Sequence, residues 1–321
     1  MPENDIDSLQ FSSDVAICTL FDGDFHFGLA AFANSLVRSG YKGTVWAGYR
    51  GSLPPWLHQL PRLNANAHEY LVGDQVRLVF LPVESATHLA VHKPQFMLNL
   101  LENQARDCKY IWFFDADIFF RCSWSFFEDW QRCGIALCQD ILYQVLPEND
   151  PLRHKWVEIG TDLGLGKPRP LIQYFNSGLA GVPAEYISFL RLWQRLTEYA
   201  GTMGVDLKRL TSGTRDMPFH AHDQDAMNIA AMYTEHPLSP TGPEVMGFRP
   251  GRSNLYHSVG PKPWRGSPLL RALAGVQPSA AAKFFLTQVS SPIRPYSALH
   301  LQAKKLECAT ASFIGRFYAK R

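Results

Sequence analysis

VAICTLFDGDFHFGLAAFANSLVRSGYKGTVWAGY, residues 15–49, decides the fold. VAICTLF is apolar, partly β-branched and closed by the turn-forming DGD, which predicts a buried strand. FHFGLAAFANSLVRSG places apolar residues at helical spacing and stops at Gly40, and TVWAGY then reads as a second strand. Working outward, QVRLVFLPV, YIWFFDADIFF and GIALCQD add strands, and HKPQFMLNLLENQARD fits a helix between two of them. Strands alternating with helices predict an α/β chain with a largely parallel sheet. In such a sheet, ligands bind outside the carboxyl ends of the strands.

With 321 residues, 46% hydrophobic and 13% aromatic, the chain can bury a sizeable core, and disorder of the whole chain is excluded. Its 31 basic and 29 acidic side chains do not suggest a nucleic-acid partner. The polar start MPENDIDSLQFSSD lacks the features of a secretory signal, so the expected location is the cytosol. No apolar run is long enough to span a bilayer. Six cysteines without a CxxC read as reduced thiols rather than a zinc site or disulfide framework. From Arg265 onward there are nine Lys/Arg and one acidic residue, Glu307. That basic end mixes Leu, Phe and Ile with Lys304, Lys305, Arg316, Lys320 and Arg321, a composition that suits either a solvated helix or contact with an anionic membrane surface.

Asp115 and Asp117 interrupt the eleven-residue apolar run from Tyr110 to Phe120. Unpaired buried carboxylates would cost several kcal/mol, so the pair must meet a cation, donors or solvent. Two residues apart on a strand they would share a face and could hold one hard divalent ion; the bland alternative is a strand ending in an exposed turn. Three further clusters follow. Tyr174-Phe175-Asn176-Ser177-Gly178 combines an amide, a hydroxyl and a glycine that permits close approach. His222-Asp223-Gln224-Asp225-Ala226-Met227-Asn228 opens a helical segment in which either aspartate could be only an N-terminal cap. His257-Ser258-Val259-Gly260-Pro261-Lys262-Pro263-Trp264 joins an imidazole, a glycine, a cation and a rigid Pro-Trp end.

The order DxD, FNSG, DQDxxN, HxxGxxKPW resembles glycosyltransferase family 8, the retaining group that includes glycogenin, plant galactinol synthases and bacterial lipopolysaccharide hexosyltransferases. The matches run from Asp115 to Trp264, and HxxGxxKPW is the most specific of them. The resemblance implies a GT-A nucleotide-diphospho-sugar transferase fold: a single Rossmann-like domain with a mixed, mostly parallel central sheet. The expected division is a disordered stretch 1–13, a catalytic domain 14–264 and a basic helical extension 265–321. The implied reaction moves a hexose from a nucleotide diphosphate, UDP-glucose or UDP-galactose, to an acceptor with retained configuration.

By motif match Asp115, Asp117 and His257 would hold Mn²⁺, with Mg²⁺ as the alternative; this donor set suits either ion, the imidazole favouring Mn²⁺. Lys262 and Gly260 would hold the diphosphate. Asn176, Asp223 and Gln224 match positions that line the transferred sugar, and Asp140 falls where the family often has a further carboxylate. The expected retaining route is front-face, with Gln224 stabilising charge at the anomeric carbon rather than Asp223 or Asp140 forming a covalent adduct. Asp22, Asp24 and Phe25 would meet the nucleoside, although Leu20-Phe21 departs from the usual small-acidic start. Ala116 and Lys93 complete the donor-binding set, with a solvated lysine the alternative at Lys93. The acceptor, whether glycan, lipid-linked sugar, polyol or small metabolite, stays open; Pro147 to Arg169 is the expected acceptor-side loop. His88, His92, His220 and His222 are assigned no role.

A dehalogenase-type phosphatase needs Thr or Val where Phe119 stands, and a nucleotidyltransferase needs a glycine-rich loop that LFDGDFHFG lacks. A glycoside hydrolase could use two carboxylates but leaves His257 and the KPW motif unexplained. A non-catalytic nucleotide-sugar-binding protein is the remaining alternative.

Overall fold

β1 (Ser12–Asp22), α1 (His26–Ser39) and β2 (Gly43–Arg50) form the first unit, with β1 and β2 paired in parallel. The structure is a computed structural model that describes residues 11–64, 66–143 and 145–318. Residues 1–10 of the expected disordered stretch lie outside the described residues, as do Lys320 and Arg321 of the basic end; Ser12 already belongs to β1. Next come β3 (Arg62–Asn64), β4 (Glu69–Val72), β5 (Val76–Pro82), α2 (Lys93–Glu102), β6 (Tyr110–Phe114), β7 (Ile118–Phe120), α3 (Ser125–Trp130) and β8 (Ile135–Gln139). The chain continues through α4 (Pro151–Asp162), β9 (Phe175–Pro183), α5 (Ile187–Thr202), α6 (His222–Tyr233), β10 (Leu238–Thr241) and β11 (Leu255–His257). It closes with α7 (Pro268–Leu273), α8 (Ala280–Gln288) and α9 (Ala298–Tyr318).

Nine strands form one sheet in the order β10-β8-β9-β6-β1-β2-β5-β4-β3. Only β9 and β4 run against the rest, so the sheet is mixed and mostly parallel. Alternation along β6 feeds two cores: Ile111 and Phe113 pack toward α2, α5 and α6, whereas Trp112 and Phe114 pack toward α1 and α3. Both faces of the sheet are therefore covered, which explains the near-continuous apolar reading of its strands.

A second, two-stranded sheet pairs β7 with β11 antiparallel, and its register sets His257 opposite Ile118. That pairing carries the histidine back to the Asp115–Asp117 turn from 140 residues away in sequence. The segment after Trp264 is helical and docks on the sheet domain. Phe285, Val289, Tyr296 and Cys308 form a third core with Ala31, Phe119 and Trp264. Buried Asn34 of α1 donates to the carbonyls of Gln288 (2.7 Å) and Ile293 (2.8 Å) and accepts from the Ile293 amide at 2.8 Å. Among the described residues no helix is long and apolar enough to cross a membrane.

Two local expectations are corrected. Asp115 and Asp117 do not sit on one strand: β6 ends at Phe114, and the Ile118 amide donates to the Asp115 carbonyl at 3.0 Å, so the pair occupies a tight turn. Pro147 to Arg169 is not a loop throughout: its centre is α4, whose Trp156 and Ile159 are buried in the core. Asp150 caps α4 by accepting from the Leu152 amide at 2.8 Å, with Pro151 in the first turn.

Candidate active site

The carboxyl ends of β1 and β6, the start of β9, the first turn of α6 and the segment after β11 surround a cleft of about 390 Å³. Asp115, Asp117 and His257 each offer one ligand atom, and these atoms lie within 4.8 Å of one another. His257 Nε2 stands 3.6 Å from Asp115 Oδ2 and 3.4 Å from Asp117 Oδ1. Lys262 donates to Asp117 and, at 2.8 Å, to the Ser258 carbonyl. Burial opposes the charge of Asp117, but His257 and Lys262 beside it hold the carboxyl well below its ordinary range.

Lys93 is buried rather than solvated. Its Nζ lies 3.2 Å from Asp115 Oδ1 and 3.0 Å from Asp223 Oδ2, and it donates to the Ser177 carbonyl at 3.1 Å. Burial works against its charge, yet Asp115 and Asp223 together raise its pKa above the ordinary lysine value. Ser177 closes this network, donating through Oγ to Asp223 at 2.6 Å and through its amide to Gln224 Oε1 at 3.1 Å. With a neutral imidazole at His257, Asp115, Asp117 and Asp223 against Lys93 and Lys262 would leave one negative charge uncompensated.

Steric room confirms how closely these parts converge. A Cβ on Gly178 would lie 2.7 Å from Asp115 Oδ2, 2.8 Å from Asn176 Oδ1 and 2.8 Å from His257 Cε1. A Cβ on Gly28 would lie 2.6 Å from the Ala116 carbonyl oxygen and 2.8 Å from the Trp264 ring, so the start of α1 supports both motifs. Such a cradle, with two carboxylates and an imidazole nitrogen facing one point, fits a divalent cation.

Along α6 the DQDxxN motif divides by helix face. Asp223 and Gln224 line the cleft. Asp225 instead accepts from the Tyr174 hydroxyl and the Ala221 amide, each at 2.7 Å, and its complete burial pushes its pKa up to about 8. Asn228 accepts from the Phe175 amide (2.7 Å) and donates to the Phe175 carbonyl (2.8 Å), pinning α6 to β9. These two place the other two.

Of the remaining expected residues, Asn176, Ala116, Gly260, Asp22 and Phe25 line the cleft. Asp140 and Asp24 are not in its lining. Asp140 accepts from the Leu142 amide and from Asn176 Nδ2, so it stands behind Asn176 and orients it. Asp24 is held by both guanidinium arms of Arg265, which lowers its pKa. Asp22 pairs with Arg50 at 2.5 Å. Phe25 sits under Lys262 and Arg265, 5.5 and 5.1 Å from its centroid, with Trp264 edge-on at 5.5 Å.

Sequence reasoning missed His88, Leu210 and Thr211, which also line the cleft. His88 caps the short 3₁₀ turn 89–92, accepting from the Ala90 amide, and burial lowers its pKa. Leu210 and Thr211 belong to the irregular stretch between α5 and α6, anchored by a bridge from Thr211 to Ala221. Its Gly and Ser content was the available signal.

No family model and no curated protein matches the chain. Solved structures do resemble it. The bifunctional glycosyltransferase WbbM, in its apo form, superposes with a TM-score of 0.55 at 13% identity, covering 92% of this chain and 52% of that one. The galactosyltransferase LgtC, in complex with donor and acceptor sugar analogs, superposes with a TM-score of 0.50 at 15% identity, covering 90% of this chain and 99% of that one. The chain thus spans about half the length of the first of these. The fold is that of the GT-A glycosyltransferases.

Proposed function

We propose that the protein is a metal-dependent retaining glycosyltransferase of the family 8 type, moving a hexose from UDP-glucose or UDP-galactose to an acceptor hydroxyl. The observation that carries this reading is the convergence of Asp115, Asp117 and His257 within 4.8 Å, beside Lys262 and at the mouth of a cleft floored by Asp223 and Gln224. Asp115, Asp117 and His257 would hold Mn²⁺ or Mg²⁺, which when bound supplies Lewis-acid stabilisation of the departing nucleoside diphosphate. Lys262 adds a second positive charge at the same oxygens once donor binding draws it from Asp117. Phe25 offers a face to the base, Asp22 a carboxylate to the nucleoside, and Asn176, held by Asp140, an amide to the sugar.

In the transfer, the bond from the anomeric carbon to the diphosphate oxygen breaks and one to the acceptor oxygen forms on the same face. The acceptor proton leaves on the diphosphate. Gln224 would stabilise positive charge at the anomeric carbon, its amide oxygen fixed by the Ser177 N–H. Asp223 is a poor nucleophile here because Lys93 and Ser177 already engage its Oδ2. Asp225, the carboxyl that burial pushes up to about 8, lies against Tyr174 and outside the cleft lining, so it is not placed to act as the general acid of a glycoside hydrolase.

The C-terminal helix supports attachment to an anionic membrane, on the cytosolic face. Leu299, Leu306, Phe313 and Phe317 of α9 are 60–81% exposed and fall on one stripe at helical period, opposite the buried Leu301, Cys308 and Ala311, with Lys305 and Arg316 beside them.

A nucleotide-sugar panel tests the central reading. Mn²⁺-dependent thermal stabilisation and nucleoside diphosphate release with one uridine-linked hexose, both lost in Asp117→Asn, are the expected results. Binding without turnover across donors and acceptors would instead favour a non-catalytic nucleotide-sugar-binding protein.

A further inference from the structure

The segment from Val259 to Pro263 is a wall with two faces. Gly260 and Lys262 line the donor cleft, Pro261 and Pro263 line a second pocket of about 150 Å³, and Val259 borders both. The far side of this pocket is built by the α7–α8 connection through Val276 and by α8 through Ala282 and Leu286. Arg271 and Lys304 reach its lining, whereas the acid there, Glu307, is engaged by the Ser267 hydroxyl. Val259 and Val276 remain 48% and 53% exposed, so the pocket is open to an incoming chain. Apart from Val259, none of its lining residues lines the cleft.

We propose that this pocket receives the alkyl or acyl chain of the acceptor, which is therefore an anionic amphiphile whose sugar or hydroxyl end enters the cleft past Val259. The proposal rests on the glycosyltransferase reading and names its acceptor class. Two observations select this occupant. The apolar wall formed by the two prolines, Ala282 and Leu286 favours hydrocarbon over a polar glycan. Arg271 and Lys304, two cations against the single carboxylate of Glu307, leave the lining net positive for a phosphate or carboxylate at the chain's head. Contact between pocket and cleft at one residue places the chain and the reactive hydroxyl on opposite sides of the Lys262 segment.

Alkyl phosphates from butyl to decyl, titrated into the full chain by calorimetry below their micelle concentrations, test the site. Affinity should rise about fourfold per methylene and then level off as the pocket fills. Ala282→Phe, which fills the pocket, should weaken decyl phosphate binding at least tenfold; Val276→Asp at the mouth should do the same if the first variant does not fold. Both variants should bind Mn²⁺ and UDP as the wild type does. Decyl glycosides should also accelerate nucleoside diphosphate release more than methyl glycosides, in the wild type only. Chain-independent affinity, or equal binding by the filled variants, would overturn the proposal. So would alkyl binding that leaves donor turnover unaffected, because the occupant would then be a membrane lipid. Loss of Mn²⁺ and UDP binding in the wild type would instead sink the underlying enzyme reading.

Discussion

In the cleft Asp115 and Asp117 share His257, with Lys93 on the first and Lys262 on the second, and their side chains are 29% and 3% exposed; Asp22 in the lining and Asp24 outside it are 40% and 38% exposed and each holds an arginine of its own. The first arrangement crowds two carboxylates, an imidazole and two ammonium groups together in surroundings that screen little. The second is two private pairs in water, each satisfied and each weak. A crowded cluster and a pair of private ion pairs are thus built from the same residue type, and burial makes the difference.

The largest effect expected from breaking this contrast is at Asp117. Asp117→Asn should lower donor turnover about a hundredfold or more, because it removes the negative charge of a candidate metal-ligating carboxylate and the ionic partner of Lys262. Steady-state rates at saturating Mn²⁺ check this. Lys262→Met should be smaller in rate, about tenfold, and opposite in sign for the metal: the nucleotide-free protein should bind Mn²⁺ more tightly, since a competing ammonium has left Asp117. Unchanged Mn²⁺ affinity would show that the two arrangements are less different than their geometry implies.

A third prediction concerns Asp225, the buried carboxyl that serves the site from behind. Its pKa lies near 8 when folded and about 4 when unfolded, so between those values the folded chain binds the extra proton. Its contribution to stability is therefore present at low pH and declines as pH rises from about 4 toward 8. Asp225→Asn should flatten that part of a denaturation profile. The smallest effect belongs to the exposed pairs: Arg265→Ala should change stability by less than about 1 kcal/mol and raise the donor KM only a few-fold.

What could be read from the sequence depended on range. The β1-α1-β2 unit and the alternation along β6 were legible because strand and helix periods are local properties of the chain. The GT-A fold followed from the order of motifs. The exact seat of Asp115 and Asp117 was not legible, since an apolar run looks alike whether it continues as a strand or turns at Phe114. The stretch that forms α4 reads as a loop because its nearby Gly and Pro outweigh the cap signal of Asp150-Pro151 and the spacing of Leu152, Trp156 and Ile159. Lys93 could not be chosen over a solvated lysine, for its partner Asp223 lies 130 residues away and only packing of α2 against α5 and α6 joins them. The separation of Asp223 from Asp225 likewise required the helix to be seen against β9.

Titration of Mn²⁺ into the protein in the presence of UDP, for the wild type and for Asp117→Asn, addresses the central claim most directly. One saturable Mn²⁺ per chain in the wild type, absent from the variant, is the result the account predicts. No saturable Mn²⁺, or the same stoichiometry and affinity in both proteins, would contradict it.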